Sequence, residues 1–208
     1  MAPDDQTKHD PGAELLRRRV KAEIRKRMRG VRASAPASAC AARSARIVEA
    51  LRAHEALGAG AVALFWPMED RHEVDLRPLD EAVRARGARV AYPSIDGETG
   101  AMTFRFVDDP KSMEERGRGF LDPGDGAPEA LPGDLAAIVV PALALDAAGH
   151  RLGYGAGYYD RALARHAPHA ATLGVAYDYQ LVVELPVDEW DVPLDWIVTD
   201  ARVLRAAR

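Results

Sequence analysis

The chain has 208 residues, 48% of them hydrophobic and 29% charged, with a formal net charge of −4. That length suits one folded domain, and no apolar run approaches the roughly 20 residues that cross a bilayer. Its single cysteine, Cys40, excludes an internal disulfide and a cysteine-based zinc site.

The opening "MAPDDQTKHDPG" is polar and lacks the apolar segment of a secretory signal. Residues 1–12 are expected to be a disordered tail, residues 13–208 one domain, and the protein soluble and cytoplasmic. Leu16, Val20, Ile24 and Met28 recur every four residues on one face of a predicted helix over 14–29. The same helix is strongly basic. Nine of the sixteen residues from Arg17 to Arg32 are Lys or Arg, and only Glu23 is acidic. A positive segment on an acidic body attracts anions locally without making the whole chain a nucleic-acid binder.

A second helix is predicted over 38–56, with Cys40 as a small buried apolar side chain. "AVALFW" (61–66), stopped by Pro67, reads as a buried strand, "VDLRPLDEAVRARG" (74–87) as a helix and "ARVAYP" (88–93) as the next strand. Strand, helix and strand within about 30 residues form the βαβ unit of a parallel sheet. "AMTFRFVDD" (101–109) alternates like a strand with one wet face, and residues 108–134 form a long irregular stretch. "LAAIVVPALALD" (135–146) is the candidate central strand. A helix over 158–166 and strands over 171–177 and 194–204 complete the chain. The class is α/β: three layers, a mainly parallel central sheet flanked by helices, Rossmann-like, with the ligand at the C-terminal ends of the strands.

The densest motif is "RLGYGAGYYDR" (151–161), G-x-G-x-G opening a helix. It is no P-loop, because the chain has no Gly-Lys pair, and no dinucleotide fingerprint, because Tyr158 stands where the last glycine belongs. Glycines that turn backbone N–H groups inward, before a helix N-terminus, make an anion cradle. Asp160 beside that cradle has two readings that spacing leaves open. It either shares a magnesium ion with the phosphate or complements the helix dipole.

At this point the chain resembles the 5-formyltetrahydrofolate cyclo-ligase family, also called methenyltetrahydrofolate synthetases. The likeness runs through "KAEIR" (21–25), "FWPMEDRHEVDLRPL" (65–79), "VAYPSID", "MTFRFVDD", the glycine motif and "GVAYDYQLVVELPVDEWDVPLDWIVTD" (174–200), in the family's order. The resemblance implies ATP-dependent conversion of 5-formyltetrahydrofolate to 5,10-methenyltetrahydrofolate with Mg²⁺, releasing ADP and phosphate. The implied route transfers the γ-phosphoryl to the formyl oxygen, after which N10 attacks the imidate carbon and phosphate departs. No covalent nucleophile and no general acid or base is assigned.

The resemblance places ATP on Lys21, Arg25 and the loop Arg151, Leu152, Gly153, Tyr154, Gly155, Ala156, Gly157, Tyr158 and Tyr159. It places the folate on Met68, Glu73, Tyr154, Gly155, Ala156, Gly157 and Tyr158, and magnesium on Asp160 and Asp191. Lys21 and Arg25 lie four apart, hence on one helix face. The competing reading for that run is a solvated basic surface, which is kept for its other arginines. Glu73 suits the donor-rich edge of a pterin, against the plainer reading of an acid at a helix start. Tyr158 is expected to stack on the folate, and Tyr159 only to pack. Trp190 stands where relatives commonly have histidine, and "GFLDP" (119–123) departs from the family pattern, so no role is carried onto the 108–134 loop. His166 and His169 read as a loop pair rather than a metal site.

The expected protein acts as a monomer on a small molecule, with no nucleic acid and no membrane. Two alternatives stand beside this reading. One is a divergent ATP-binding paralogue with another substrate. The other is a nucleic-acid-binding module using the basic helix, whose affinity would fall steeply with salt.

Overall fold

The first helix, α1 (Pro11–Ser34), starts where the chain supplies a cap: the Asp10 carboxylate accepts from the Gly12 N–H at 2.9 Å, and Pro11 occupies the first turn. The structure, a computed structural model, describes residues 10–58 and 60–207. The disorder expected of residues 1–9 lies outside the described residues, while Pro11 and Gly12, expected in the same tail, are helical. The apolar face read from the sequence splits in two. Met28 is buried, whereas Leu16 is 63% exposed and Val20 is 39% exposed. Lys21 and Arg32 take the buried positions instead.

Next come α2 (Ala37–Arg52), β1 (Ala61–Ala63), α3 (Arg77–Ala85), β2 (Val90–Ile95) and β3 (Met102–Phe106). β1 is half the expected length, since the chain leaves the ladder after Ala63 and runs on towards Met68. α3 begins three residues later than expected, with Leu76 at its N-cap, so Glu73 precedes the helix and does not sit in its first turn. The stretch 108–134 is less irregular than expected. It carries a small hairpin of β4 (Glu114–Glu115) and β5 (Leu121–Asp122). Buried Asp122 accepts from the Ser94 hydroxyl at 2.8 Å and the Ile95 N–H at 3.0 Å, which pins this loop to the end of β2.

The apolar run at 135–146 divides into β6 (Leu135–Pro141) and β7 (Ala144–Leu145), the latter paired with β8 (Arg151–Leu152). α4 (Tyr158–His166), β9 (Ala171–Val175), β10 (Trp196–Val198) and β11 (Val203–Arg205) follow. The single strand expected at 194–204 is thus an antiparallel pair, β10 with β11. Seven strands lie in the order β11-β10-β9-β6-β1-β2-β3. The four inner pairings are parallel and the two outermost antiparallel.

Side chains alternate across this sheet with period two. Ala137 and Val139 of β6 pack with Ile47 and Leu51 of α2 and Val83 of α3, while Ile138 and Val140 pack with Ala162 and Leu163 of α4. This is the α/β class read from the sequence. From β1 the chain builds β2 and β3 on one side, then returns to β6 on the other. That reversal opens a crevice at the C-terminal ends of β1 and β6, where ligands of such sheets bind. Among the described residues no helix is long and apolar enough to cross a membrane.

Candidate active site

A cavity of about 400 Å³ fills that crevice. Its floor is the chain leaving β1 (Phe65, Trp66, Met68), the ends of β2 and β3 (Pro93, Ile95, Met102) and the turn after β6 (Pro141, Ala142, Leu143). The buried Gln180 amide holds that turn by donating to the Leu143 carbonyl at 2.8 Å. Lys21, Arg25, Met68, Glu73, Asp160, Asp191 and all nine loop residues from Arg151 to Tyr159 line the one cavity. The structure therefore brings together every site residue read from the sequence.

The loop's shape comes from two glycines. Gly155 has φ +110° and Gly157 has φ +67°, conformations that a Cβ disfavours. Gly153 needs no such freedom, and its carbonyl instead accepts from Arg25 Nε at 2.9 Å. Gly157 is the N-cap of α4, and no side chain caps that terminus. The N–H groups of the first turn are thus left without a side-chain cap, with the helix dipole behind them, which is the requirement for holding phosphate oxygens.

Around this cradle each carboxylate meets a cation. Asp160 Oδ1 accepts from Arg151 Nη2 at 2.6 Å, and Arg151 Nη1 donates to the Val192 carbonyl at 2.7 Å. Burial lowers the Arg151 pKa, and Asp160 opposes that shift. Lys21 Nζ lies 2.7 Å from Asp191 Oδ2 and 2.6 Å from Asp188 Oδ2. Burial would raise the Asp188 pKa, but Lys21 and Arg17 together hold it below the usual range.

These residues fit a magnesium ion arriving with a polyphosphate. Asp160 Oδ2 and Asp191 Oδ1 take no hydrogen bond from any described residue, so each of these cavity-lining carboxylates keeps one oxygen without a bonded partner there. Four cations (Arg18, Lys21, Arg25, Arg151) and four carboxylates (Glu73, Asp160, Asp188, Asp191) line the space, a formally neutral wall. Such a wall binds a polyanion better when a divalent ion accompanies it. No cluster of three or more His, Cys, Asp or Glu side chains able to hold a metal by itself occurs among the described residues.

Glu73 lies away from these ions and is buried to 7% exposure. Its Oε2 accepts from the Met68 N–H at 3.1 Å and its Oε1 from the Tyr154 hydroxyl at 3.2 Å. Burial raises its pKa, opposed by the Met68 N–H, Arg32, Tyr154 and Arg71. Tyr158 lies beneath the Arg161 guanidinium at 5.4 Å. The Tyr159 hydroxyl is buried without a hydrogen-bond partner among the described residues, and burial pushes its pKa far up.

A profile of the 5-formyltetrahydrofolate cyclo-ligase family matches residues 17–200. The chain belongs to this family. The 5-formyltetrahydrofolate cyclo-ligase of Escherichia coli strain K12 is 34% identical over 149 residues, covering 70% of this chain and 80% of its own. That of Mycoplasma pneumoniae is 32% identical over 140 residues, covering 67% and 72%. The solved 5,10-methenyltetrahydrofolate synthetase of Aquifex aeolicus superposes with a TM-score of 0.78 at 31% identity, covering 91% of this chain and 94% of its own.

Within this cyclo-ligase fold several residues in and around the cavity escape a reading of the sequence alone. Asp188 shares Lys21 with Asp191, yet it sits in an acidic stretch without a motif. Arg32, placed with the solvated arginines, is 4% exposed and bonded to Tyr154 instead. Arg18 does stay largely exposed but reaches the cavity rim. Phe120 and Leu121 bring the 108–134 loop into the cavity wall, and Trp190 stands at the mouth, 61% exposed. His166 ends α4 and is buried against Phe104, so it is no loop residue. Only the glycines near residue 119 and the "FLD" triplet hint in the sequence at the loop's contribution.

Proposed function

We propose that this chain cyclises 5-formyltetrahydrofolate to 5,10-methenyltetrahydrofolate at the expense of ATP, which leaves as ADP and phosphate. One observation carries the reading: a single cavity with apolar wall residues joins a buried carboxylate to a glycine-turned anion cradle. Glu73, bonded to the Met68 N–H in a wall that Trp66 and Ile95 also line, suits a flat heterocycle with N–H donors on one edge. The 153–157 loop and the N-terminus of α4 suit the phosphates, with Lys21 and Arg25 closing over them from α1.

The chemistry fits the lining. No Ser, Thr, Cys or His lines this cavity among the described residues, so the wall offers no ordinary nucleophile–base pair. A formyl oxygen departs poorly. Transfer of the γ-phosphoryl group to it makes phosphate the leaving group, and attack by N10 on the same carbon closes the ring as the C–O bond breaks. Such a sequence depends on holding two substrates in line and on neutralising charge. Asp160 and Asp191 would hold Mg²⁺, which supplies charge neutralisation on the phosphate oxygens. Arg151 keeps Asp160 oriented, and Lys21 does the same for Asp191.

The reading carries with it a cytoplasmic monomer that needs no nucleic acid and no membrane. Its test is the near-ultraviolet absorbance of the methenyl product. Protein, 5-formyltetrahydrofolate and Mg²⁺ are mixed with and without ATP, beside Asp160→Ala. Absorbance that rises only with ATP and at least about 100-fold more slowly in the variant is expected. A folded protein that binds Mg-ATP and forms no product would overturn the assignment in favour of a paralogue with another substrate.

A further inference from the structure

A second cluster of charge runs from the cavity wall, at Glu73 and Tyr154, back to Arg32 behind it. The last turn of α1 carries Arg32, whose side chain is 5% exposed and whose Nη2 is 3.9 Å from Glu73 Oε1. The same Nη2 donates to the Tyr154 hydroxyl, which in turn donates to Glu73 Oε1. Arg32 thereby meets two elements at once, the glycine loop through Tyr154 and the turn after β1 through Glu73. Its own carbonyl oxygen lies 3.1 Å from His72 Nδ1, and His72 has a left-handed φ of +47°. A non-glycine residue held in that conformation shows that the turn is fixed by its surroundings.

We propose that Arg32 is a positioning residue which, through the Tyr154 hydroxyl, holds the Glu73 carboxylate ionised and aimed into the cavity. This rests on the reading of Glu73 as the acceptor for the substrate's heterocycle. A buried carboxylate tends to take up a proton, and a protonated Glu73 offers one acceptor fewer to an N–H-rich edge. The guanidinium counters that tendency twice. It attracts the carboxylate directly, and it polarises the hydroxyl so that its O–H bond to Oε1 strengthens. The charged and titratable groups around Glu73 are Arg32 from α1, Arg71 from the turn, Tyr154 and Tyr159 from the loop and α4, and Tyr177 after β9. Only Arg32 is both buried and bonded to a partner of the carboxylate. Arg71 lies over the Tyr154 ring at 4.9 Å and is far more exposed.

Equilibrium binding of 5-formyltetrahydrofolate, followed by titration calorimetry in the absence of ATP from pH 5 to 9, tests the idea. Arg32→Met should bind about 10- to 100-fold more weakly at neutral pH. Its affinity should also collapse at a higher pH than in the wild type, since Glu73 then loses a group that keeps it ionised. Mg-ATP affinity should be unchanged. Arg32→Lys, which restores the charge, should return the acid limb towards the wild-type position. Tyr154→Phe, which breaks the relay but leaves the guanidinium, should weaken folate binding, and its effect should not add to that of Arg32→Met. Weaker binding with an unmoved acid limb would reduce Arg32 to a packing residue and overturn the inference, as would wild-type affinity in Arg32→Met. If thermal melting shows that Arg32→Met does not fold, Tyr154→Phe and Arg32→Lys decide by the same acid limb. Failure of the wild type to bind the folate at all would instead sink the functional reading beneath it.

Discussion

α1 and β6 serve the same cavity and are held in place by opposite means. β6 spends seven residues and buries five of them, Leu135, Ala137, Ile138, Val139 and Val140, each at 1% exposure or less. α1 spends twenty-four and buries three, of which two are the cations Lys21 and Arg32. The strand is fixed by apolar packing on both faces. The helix is fixed largely by ion pairs that reach across to the 188–191 segment and to Glu73. Packing is indifferent to what occupies the cavity, whereas a paired cation can exchange its carboxylate for a phosphate. On the proposed function, the scaffold that aims the glycine loop is therefore the fixed part, and the arm that brings Lys21 is the part whose ion pairs can respond to the ligand.

Breaking the rigid side should cost the most. Ile138→Ala removes a fully buried side chain between α4 and its neighbouring strands, and should lower unfolding free energy by about 2–5 kcal/mol in chemical denaturation. A loss below about 1 kcal/mol would mean that the core at β6 collapses around the gap, and the contrast with α1 would blur.

On the helix side the largest effect should come from Lys21→Met. The change leaves Asp191 without its cation, while Asp188 keeps Arg17 at 3.2 Å. Stability should fall by about 1–3 kcal/mol, because a half-buried carboxylate is left uncompensated. Mg-ATP affinity should fall as well. Retained stability with lost nucleotide affinity would break the comparison, making Lys21 a ligand group with no structural share.

A smaller, pH-dependent effect should come from His166, at the end of α4 beneath the sheet. It is 1% exposed, its ring meets Phe104 edge-on at 5.3 Å, and neither nitrogen has a partner among the described residues. Burial, with help from Arg165 and His169, lowers its pKa against the opposing pull of Glu129 and Asp134. The folded state thus keeps it neutral, while the unfolded chain takes up a proton as pH falls through about 6.5. The unfolded state then binds more protons, so His166 costs stability progressively below that pH. Melting temperatures of the wild type and His166→Leu, compared at pH 7.5 and 5.5, should show the variant losing less on acidification. Equal losses would mean that the imidazole finds water or an acceptor in solution.

The sequence made the packed side of the molecule legible and left the ion-paired side half hidden. β6 shows itself as an unbroken apolar run, and the loop shows itself because Gly155 and Gly157 are needed for their backbone angles. Lys21, Arg25, Glu73 and Asp160 are found through local motifs that resemble a family. Arg32 and Asp188 carry no such mark. One is an arginine among arginines and the other an acid among acids, and only a partner more than forty residues away distinguishes each. The fourfold spacing of Leu16, Val20, Ile24 and Met28 shows a face but cannot say how far along the helix that face meets a neighbour. The end of β1 was misplaced for a related reason. Leu64 and Phe65 are buried and apolar like strand residues, yet β1 stops at Ala63 and Phe65 serves the cavity floor.

The smallest expected effect tests the comparison at its weakest point. Leu16 lies on the outward half of α1, 63% exposed, with Leu15 and Val20 also open to solvent nearby. Leu and Gln have similar helix propensities, so Leu16→Gln alters little beyond exposed apolar surface. Unfolding free energy should move by less than about 0.5 kcal/mol, and Mg-ATP affinity should stay where it was. If instead the change costs 2 kcal/mol or more, the outer half of α1 has an apolar partner in solution. The helix would then be held by packing as β6 is, and the responsiveness assigned to its ion pairs would have to be given up.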